Sequence, residues 1–247
     1  MRDALVMIDR SMRLTRRTVD ALLFSLALPV MLMLLFVYLF GGAIDTGTEY
    51  VTYVVPGVIL LCAGYSAAAT AVTVAQDMTS GVVDRFRSMD VGATALLTGH
   101  VVASVARNAV SIALVFGVAL LIGFRPQAGP LAWLAACGML LLFVVAVSWL
   151  SAAVGLVASS AEAASGFTFF VLFLPYPSSA FVPIATMPGW LHGFAEHQPT
   201  TPVIETVRGL LLDTPAGGSA WRALAWCTGL LLVAVALAAL LFRRRTA

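Results

Sequence analysis

The 247-residue chain has no lysine, and only 11% of its residues are charged. An average soluble domain is about a quarter charged and about half apolar. Here 61% of the residues are apolar and the mean hydropathy is +0.99. Too little charge is present to cover a water-facing surface, which excludes a soluble globular domain, and the same figures exclude disorder. Only three cysteines occur, Cys62, Cys137 and Cys227, each within an apolar run. They offer neither a disulfide framework nor a metal spacing and read as small buried hydrophobes. A net charge of +2 gives no reason to expect nucleic acid as a partner. Without lysine the chain cannot hold a G-x-x-x-x-G-K-[ST] phosphate loop. H-E-x-x-H and G-x-S-x-G are missing too. His192 and His197 stand five apart with Glu196 between them, a spacing that does not share a helix face and does not make a metal site. Nothing places Glu205 and Asp213 across a substrate as acid and base. The sequence does not read as an enzyme, and it implies no cofactor and no metal in this chain.

What is present is long apolar runs. A helix needs about 20 apolar residues to cross the ~30 Å hydrocarbon core of a bilayer. Six runs qualify: residues 21–42 with Pro29 inside, 53–75, 100–122, 131–157, 162–181 interrupted by Pro175-Tyr176-Pro177, and 221–242. The expected fold is all-α, a polytopic membrane protein with a single transmembrane domain over residues 21–247. All 14 basic residues are arginine, and their placement orients the spans. With the N-terminus in the cytoplasm, ten arginines (2, 10, 13, 16, 17, 85, 87, 243, 244 and 245) share the cytoplasmic side. Three (125, 208 and 222) lie on the other side, and Arg107 lies within the third run. Six spans then return both termini to the cytoplasm. The first 20 residues carry five arginines and three aspartates, and no A-x-A site follows the first run, so no cleaved signal peptide is expected.

Three segments are neither span nor plain loop. In residues 1–20, Leu5, Ile8, Met12 and Val19 fall on one helical face while Arg10, Arg13 and Arg17 fall on another. An apolar stripe beside an arginine stripe suits an interfacial helix in the headgroup layer, contacting membrane lipid. In the cytoplasmic loop 76–99, residues 79–90 read as a short helix that Thr79 or Ser80 can cap. Val82, Val83, Phe86 and Met89 form its apolar face, and Asp84, Arg85, Arg87 and Asp90 its charged face. Such a helix either docks in a protein groove or rests on the membrane surface, and the pattern does not choose. The outer segment 183–220 holds two stretches of about ten residues, too short to span and too apolar for a free loop. Thr201-Pro202 reads as a cap and first helical position, and Glu205 and Arg208 sit three apart on the polar side. Pro183, Pro188, Pro199, Pro202 and Pro215 suit a re-entrant hairpin in the outer leaflet. Arg107 is read as a snorkelling or ion-paired structural residue.

Three stretches resemble a known family. They are Tyr53-Val54-Val55-Pro56-Gly57; then Gln76-Asp77 with Gly81-Val82-Val83-Asp84-Arg85-Phe86-Arg87-Ser88-Met89; then Phe181-Val182-Pro183, Met187-Pro188-Gly189-Trp190-Leu191, Gln198-Pro199 and Arg208-Gly209-Leu210. In order and spacing the chain resembles the type-2 ABC export permeases, in particular the daunorubicin-resistance-like membrane subunits. Asp90 stands where that family usually has proline, and Gly92 and Ala93 replace its usual polar pair.

The resemblance implies the transmembrane permease subunit of an ATP-driven exporter in a bacterial plasma membrane. It implies two partner ABC ATPase subunits that bind ATP and Mg, and a second permease subunit, identical or homologous. Asp77, Gly81, Val82, Val83, Asp84, Arg85, Phe86, Arg87, Ser88 and Met89 would then couple to the ATPase, and an outer hairpin with Pro183, Pro188, Trp190, Leu191, Pro199 and Arg208 would close the exit. The cargo would be hydrophobic or amphipathic: a drug, a natural product or a lipid-like molecule. The alternatives are a self-sufficient channel or secondary transporter, or an integral-membrane enzyme. The spans lack proton-relay carboxylates, ring-forming polar motifs and convergent catalytic groups, which weighs against all three.

Overall fold

A computed structural model describes residues 19–80, 93–214 and 217–246, and the described residues are helices joined by turns. The expected interfacial helix with Arg10, Arg13 and Arg17 lies outside them, as do the expected coupling residues Gly81, Val82, Val83, Asp84, Arg85, Phe86, Arg87, Ser88 and Met89.

Helix α1 (Val19–Leu35) contains Pro29 and widens into one π-helical turn, Phe36–Phe40. α2 (Tyr50–Ala68) and α3 (Thr70–Thr79) form one rod with a break at Ala69. α4 is Ala93–Leu121 and α5 is Pro130–Val157, started by proline at its first position as the missing N–H permits. α6 (Ala161–Phe173) is capped by Ser160, whose Oγ accepts the Ala163 N–H at 3.2 Å. A 3₁₀ turn (Ile184–Thr186) leads to α7 (Gly189–His197) and α8 (Thr200–Leu211), and α9 (Ser219–Thr246) ends the described chain.

Among the described residues, four stretches are long and apolar enough to cross a membrane: Tyr50–Thr79, Leu96–Leu121, Pro130–Val157 and Ser219–Arg244. The first expected span is helical over Val19–Leu35 and Phe36–Phe40. The fifth is shorter as a helix, stopping at Phe173 rather than at residue 181. Pro175 and Pro177 explain this, because proline supplies no N–H to a helix and its ring clashes with the preceding turn. The rod α2–α3 begins before the expected residue 53 and runs past 75, and α4 begins at Ala93, so both ends of the expected loop 76–99 are helical.

α2 is the centre of the bundle. Val54, Val55, Val58, Ile59, Leu60, Leu61 and Cys62 are all buried, so no polar face was available to reveal its orientation. Its break at Ala69 is stitched by hydroxyls: Thr168 Oγ1 of α6 donates to the Ala68 carbonyl at 3.2 Å, and Thr73 Oγ1 donates to the Thr70 carbonyl at 2.9 Å. Threonines that bond back to their own helix bend it. Small residues let the rods approach. A Cβ on Gly155 of α5 would lie 2.6 Å from the Ala71 carbonyl oxygen of α3. The buried hydroxyls Ser104 (α4) and Ser148 (α5) meet at 2.8 Å. On α9, Ala223, Cys227, Ala234 and Ala238 form a buried small-residue stripe, while Leu232, Val233, Leu237 and Leu240 are exposed. Cys62 and Cys227 are buried as expected, but Cys137 is exposed on α5.

Candidate functional site

The segment after α6 turns back on itself because Pro175 and Pro177 forbid helix. Ser178 fixes the turn, donating to the Pro175 carbonyl and accepting the Ala180 N–H at 3.1 Å. That places Ala180 against α2 at Gly57, where a Cβ would lie 2.7 Å from the Ala180 Cα and carbonyl oxygen. Glycine is required there by space, and the quoted Pro56-Gly57 pair acquires a structural reason. Tyr50 completes the contact, its hydroxyl donating to the Phe181 carbonyl at 2.9 Å. The Phe181 ring stacks between Phe36 at 4.3 Å and Tyr176 at 5.1 Å.

Arg208 locks this junction from α8. It is buried although it carries a charge. Its Nε and Nη2 donate to the Tyr53 carbonyl at 3.2 and 3.0 Å, Nη2 also donates to the Ser179 carbonyl at 2.6 Å, and Nη1 pairs with Glu205 at 2.9 Å. The guanidinium carbon lies 3.9 Å from the centre of the Tyr53 ring, a cation–π contact. The expected Glu205–Arg208 pair is present, but only Glu205 faces outward. One side chain thus joins α8, the turn after α6 and α2, with the fork geometry that lysine lacks.

The rest of the hairpin is held by local bonds. Gln198 Nε2 donates to the Pro177 carbonyl, and its Oε1 accepts the Thr200 hydroxyl at 2.9 Å. Thr201 does not cap α8, which already starts at Thr200; its hydroxyl donates to the Ala195 carbonyl instead. Pro183, Pro188 and Pro199 each stand immediately before a helical segment, at the 3₁₀ turn, α7 and α8. Trp190 is exposed and Leu191 half-buried on α7. His192 and His197 bond the carbonyls of Met187 and Gly193 at 2.8 and 2.9 Å, which uses them locally. No metal-holding cluster of three such ligands occurs among the described residues.

At the opposite end of the α2–α3 rod stands Asp77, the one residue of the expected coupling set within the described chain. Its Oδ2 pairs with His100 Nε2 of α4 at 3.1 Å, with both side chains largely buried. The pair ties together the two helices that flank residues 81–92. Nearer the middle of the bundle, Arg107 Nη2 donates to Thr70 Oγ1 beside the α2 break at 3.4 Å. Among the described residues Arg107 has no carboxylate partner.

Tyr50, Ser179, Ala180 and His100 escaped the sequence reading. Tyr50 and Tyr53, three apart beside Pro56-Gly57, were a usable signal. Ser179 enters through its backbone carbonyl and left none.

A family model described as ABC-2 type transporter matches residues 2–212. The daunorubicin resistance ABC transporter permease protein DrrB1 of Streptomyces coeruleorubidus is 34% identical over 222 residues, covering 89% of this chain and 78% of that protein. The probable doxorubicin resistance ABC transporter permease protein DrrC, from two strains of Mycobacterium tuberculosis, is 22% identical over 222 residues, covering 89% and 80%. With the family match running through helices α1 to α8, this chain belongs to the ABC-2 type transporter family of membrane permeases.

Proposed function

We propose that the chain is the permease half of an ATP-driven exporter for hydrophobic or amphipathic small molecules. The observation that carries this is the 34% identity to a daunorubicin resistance permease across 89% of the chain. In this reading six spans, α1 and α6 among them, cross a bacterial plasma membrane with both termini in the cytoplasm. Residues 1–20 lie at the membrane surface. Two separate ATPase subunits bind and hydrolyse ATP with Mg, and a second permease, identical or homologous, completes the path.

Phe86, Val82 and Met89 seat the segment between α3 and α4 in an ATPase groove, and Asp84, Arg85 and Arg87 orient it at the rim. ATP closure of the ATPase pair moves that segment. Asp77–His100 passes the displacement into both α3 and α4. The α2–α3 stretch of 30 residues, about 45 Å at the helical rise, carries it to the junction where Tyr50, Tyr53 and Gly57 meet the hairpin. Arg208 makes the hairpin follow α2, and the hairpin gates the exit. The drive is the difference in affinity between ATPase states.

Reconstitution with the cognate ATPase tests this. Inside-out vesicles should accumulate daunorubicin when ATP is added, and Phe86→Ala should abolish accumulation while the permease inserts and binds the ATPase normally. Normal accumulation by an assembled Phe86→Ala complex would sink the coupling assignment. Accumulation independent of ATP would favour a self-sufficient transporter.

A further inference from the structure

Arg107 lies in α4 within Leu96–Leu121, a stretch long and apolar enough to cross a membrane. It is half-buried. A guanidinium carries five N–H donors. Among the described residues this one makes a single hydrogen bond, Nη2 to Thr70 Oγ1 at 3.4 Å, and no ion pair. A cation in hydrocarbon is costly, so it pairs with an anion or reaches the headgroups.

Two helices give the same depth for this charge. Arg107 is seven residues beyond His100 on α4, and Thr70 is seven residues before Asp77 on α3. Both put the guanidinium about 10 Å inside the Asp77–His100 pair at the helical rise. A helical side chain leans toward the helix N-terminus, so Arg107 leans back toward His100. In the other direction the same face of α4 carries Val110 and Leu114, three and seven residues on, both exposed.

This order, a cation first and then an exposed apolar lane, selects its ligand. A water-soluble anion would have to leave water to reach Arg107, and it would gain nothing from Val110 and Leu114. A phospholipid of the leaflet at the Asp77–His100 end has the matching polarity, with its phosphate outermost and its chains toward the midplane. A lipid of the opposite leaflet runs the other way. Basic positions between spans on the cytoplasmic side hold lipid headgroups in this manner, and the guanidinium fork fits a phosphate.

We propose that Arg107, steadied by Thr70, binds the phosphate of a phospholipid whose chains lie along Val110 and Leu114. The proposal rests on the permease reading only in making that leaflet the cytoplasmic one. Binding is measured on the permease alone, so failure here is distinct from failure of ATP-driven export.

The test titrates the detergent-solubilised full chain with dioleoyl phosphatidylglycerol and with dioleoylglycerol, which has the same chains and no phosphate, and reads bound lipid by native mass spectrometry. The wild-type chain should bind phosphatidylglycerol saturably and about tenfold tighter, the worth of hydrogen bonding to a charged group. Arg107→Gln should lose the preference and Arg107→Lys keep part of it. Arg222→Gln, at an exposed arginine of α9, should leave it unchanged. Phosphatidylglycerol with a diazirine in its chain should label α4 around Val110 and Leu114, and inorganic phosphate should not displace it. Should Arg107→Gln fail to fold, the wild-type lipid pair and the labelled positions still decide. Equal affinities, a preference that survives Arg107→Gln, labelling confined to other helices, or displacement by inorganic phosphate would overturn the site.

Discussion

Arg208 of α8 reaches Tyr53 of α2 in two ways at once: it donates twice to the Tyr53 carbonyl, at 3.2 and 3.0 Å, and covers the Tyr53 ring at 3.9 Å. Pro56 follows three residues later within α2. A proline inside a helix removes a hydrogen bond and opens the turn before it. The N–H missing at Pro56 would have served the Thr52 carbonyl four residues back, so the arginine does not replace it; on Tyr53 it adds a tie from α8 to the neighbouring carbonyl.

Truncation at Arg208 should be severe. Arg208→Ala takes its donor from the Ser179 carbonyl, at about 1–3 kcal/mol for a buried group, and removes the cross-helix bonds to the Tyr53 carbonyl. Arg208→Lys keeps the charge but not the fork, so it should recover only part of the loss. Thermal unfolding followed by tryptophan fluorescence checks both. Wild-type unfolding by Arg208→Ala would show that the hairpin is held by other contacts.

Two glycines of α2 should differ sharply. At Gly57 a Cβ would lie 2.7 Å from the Ala180 backbone, which cannot move without shifting the turn. At Gly64 the nearest atom is the Val171 Cγ1 at 3.3 Å, a side chain that can give. Gly57→Ala should therefore cost about 1–3 kcal/mol through overpacking, and Gly64→Ala much less. Parallel melting curves decide, and equal effects would mean that α2 and the turn are not packed this closely.

How much of this was legible depended on the kind of contact. Long apolar runs marked the helices, and Pro175 and Pro177 marked the break that ends α6. The pairing of Glu205 with Arg208 followed from their three-residue spacing. The burial of Arg208 did not, because its partners Tyr53 and Ser179 are distant in sequence and offer backbone carbonyls, which every residue type carries. α2 was hard to orient for the opposite reason: with apolar side chains on all sides, its sequence has no face to read. His100 carries no local signal, because its partner Asp77 lies 23 residues away and meets it only where α3 and α4 pack together.

The stripe on α9 gives a further contrast. Ala238 is fully buried, whereas its neighbour Leu237 is exposed. Ala238→Phe should push α9 off the bundle at a cost of about 1–3 kcal/mol, while Leu237→Phe should be close to neutral because an apolar side chain is exchanged for another on the outer face. Unfolding temperatures in lipid nanodiscs measure the difference. Equal tolerance at both positions would mean that the small residues do not set the helix spacing.

Asp77 and His100 pose the question of coupling most directly. The pair spans 3.1 Å between two helices whose connection is the expected ATPase contact. If α3 and α4 move as one when that connection is displaced, breaking the pair should spoil transmission more than binding. Asp77→Asn and His100→Gln should each leave ATPase association intact and lower transported molecules per ATP. The double variant should be little worse than either, because both singles remove the same link. In a double-mutant cycle on unfolding free energy, contacting residues typically couple by about 0.5–3 kcal/mol, and this pair should fall in that range. The two readouts separate a brace from a transmitter. Stability coupling with an unchanged transport-to-ATP ratio would make the pair a brace only. Additive losses in both would mean that Asp77 and His100 act through different partners and that the rod receives its displacement elsewhere.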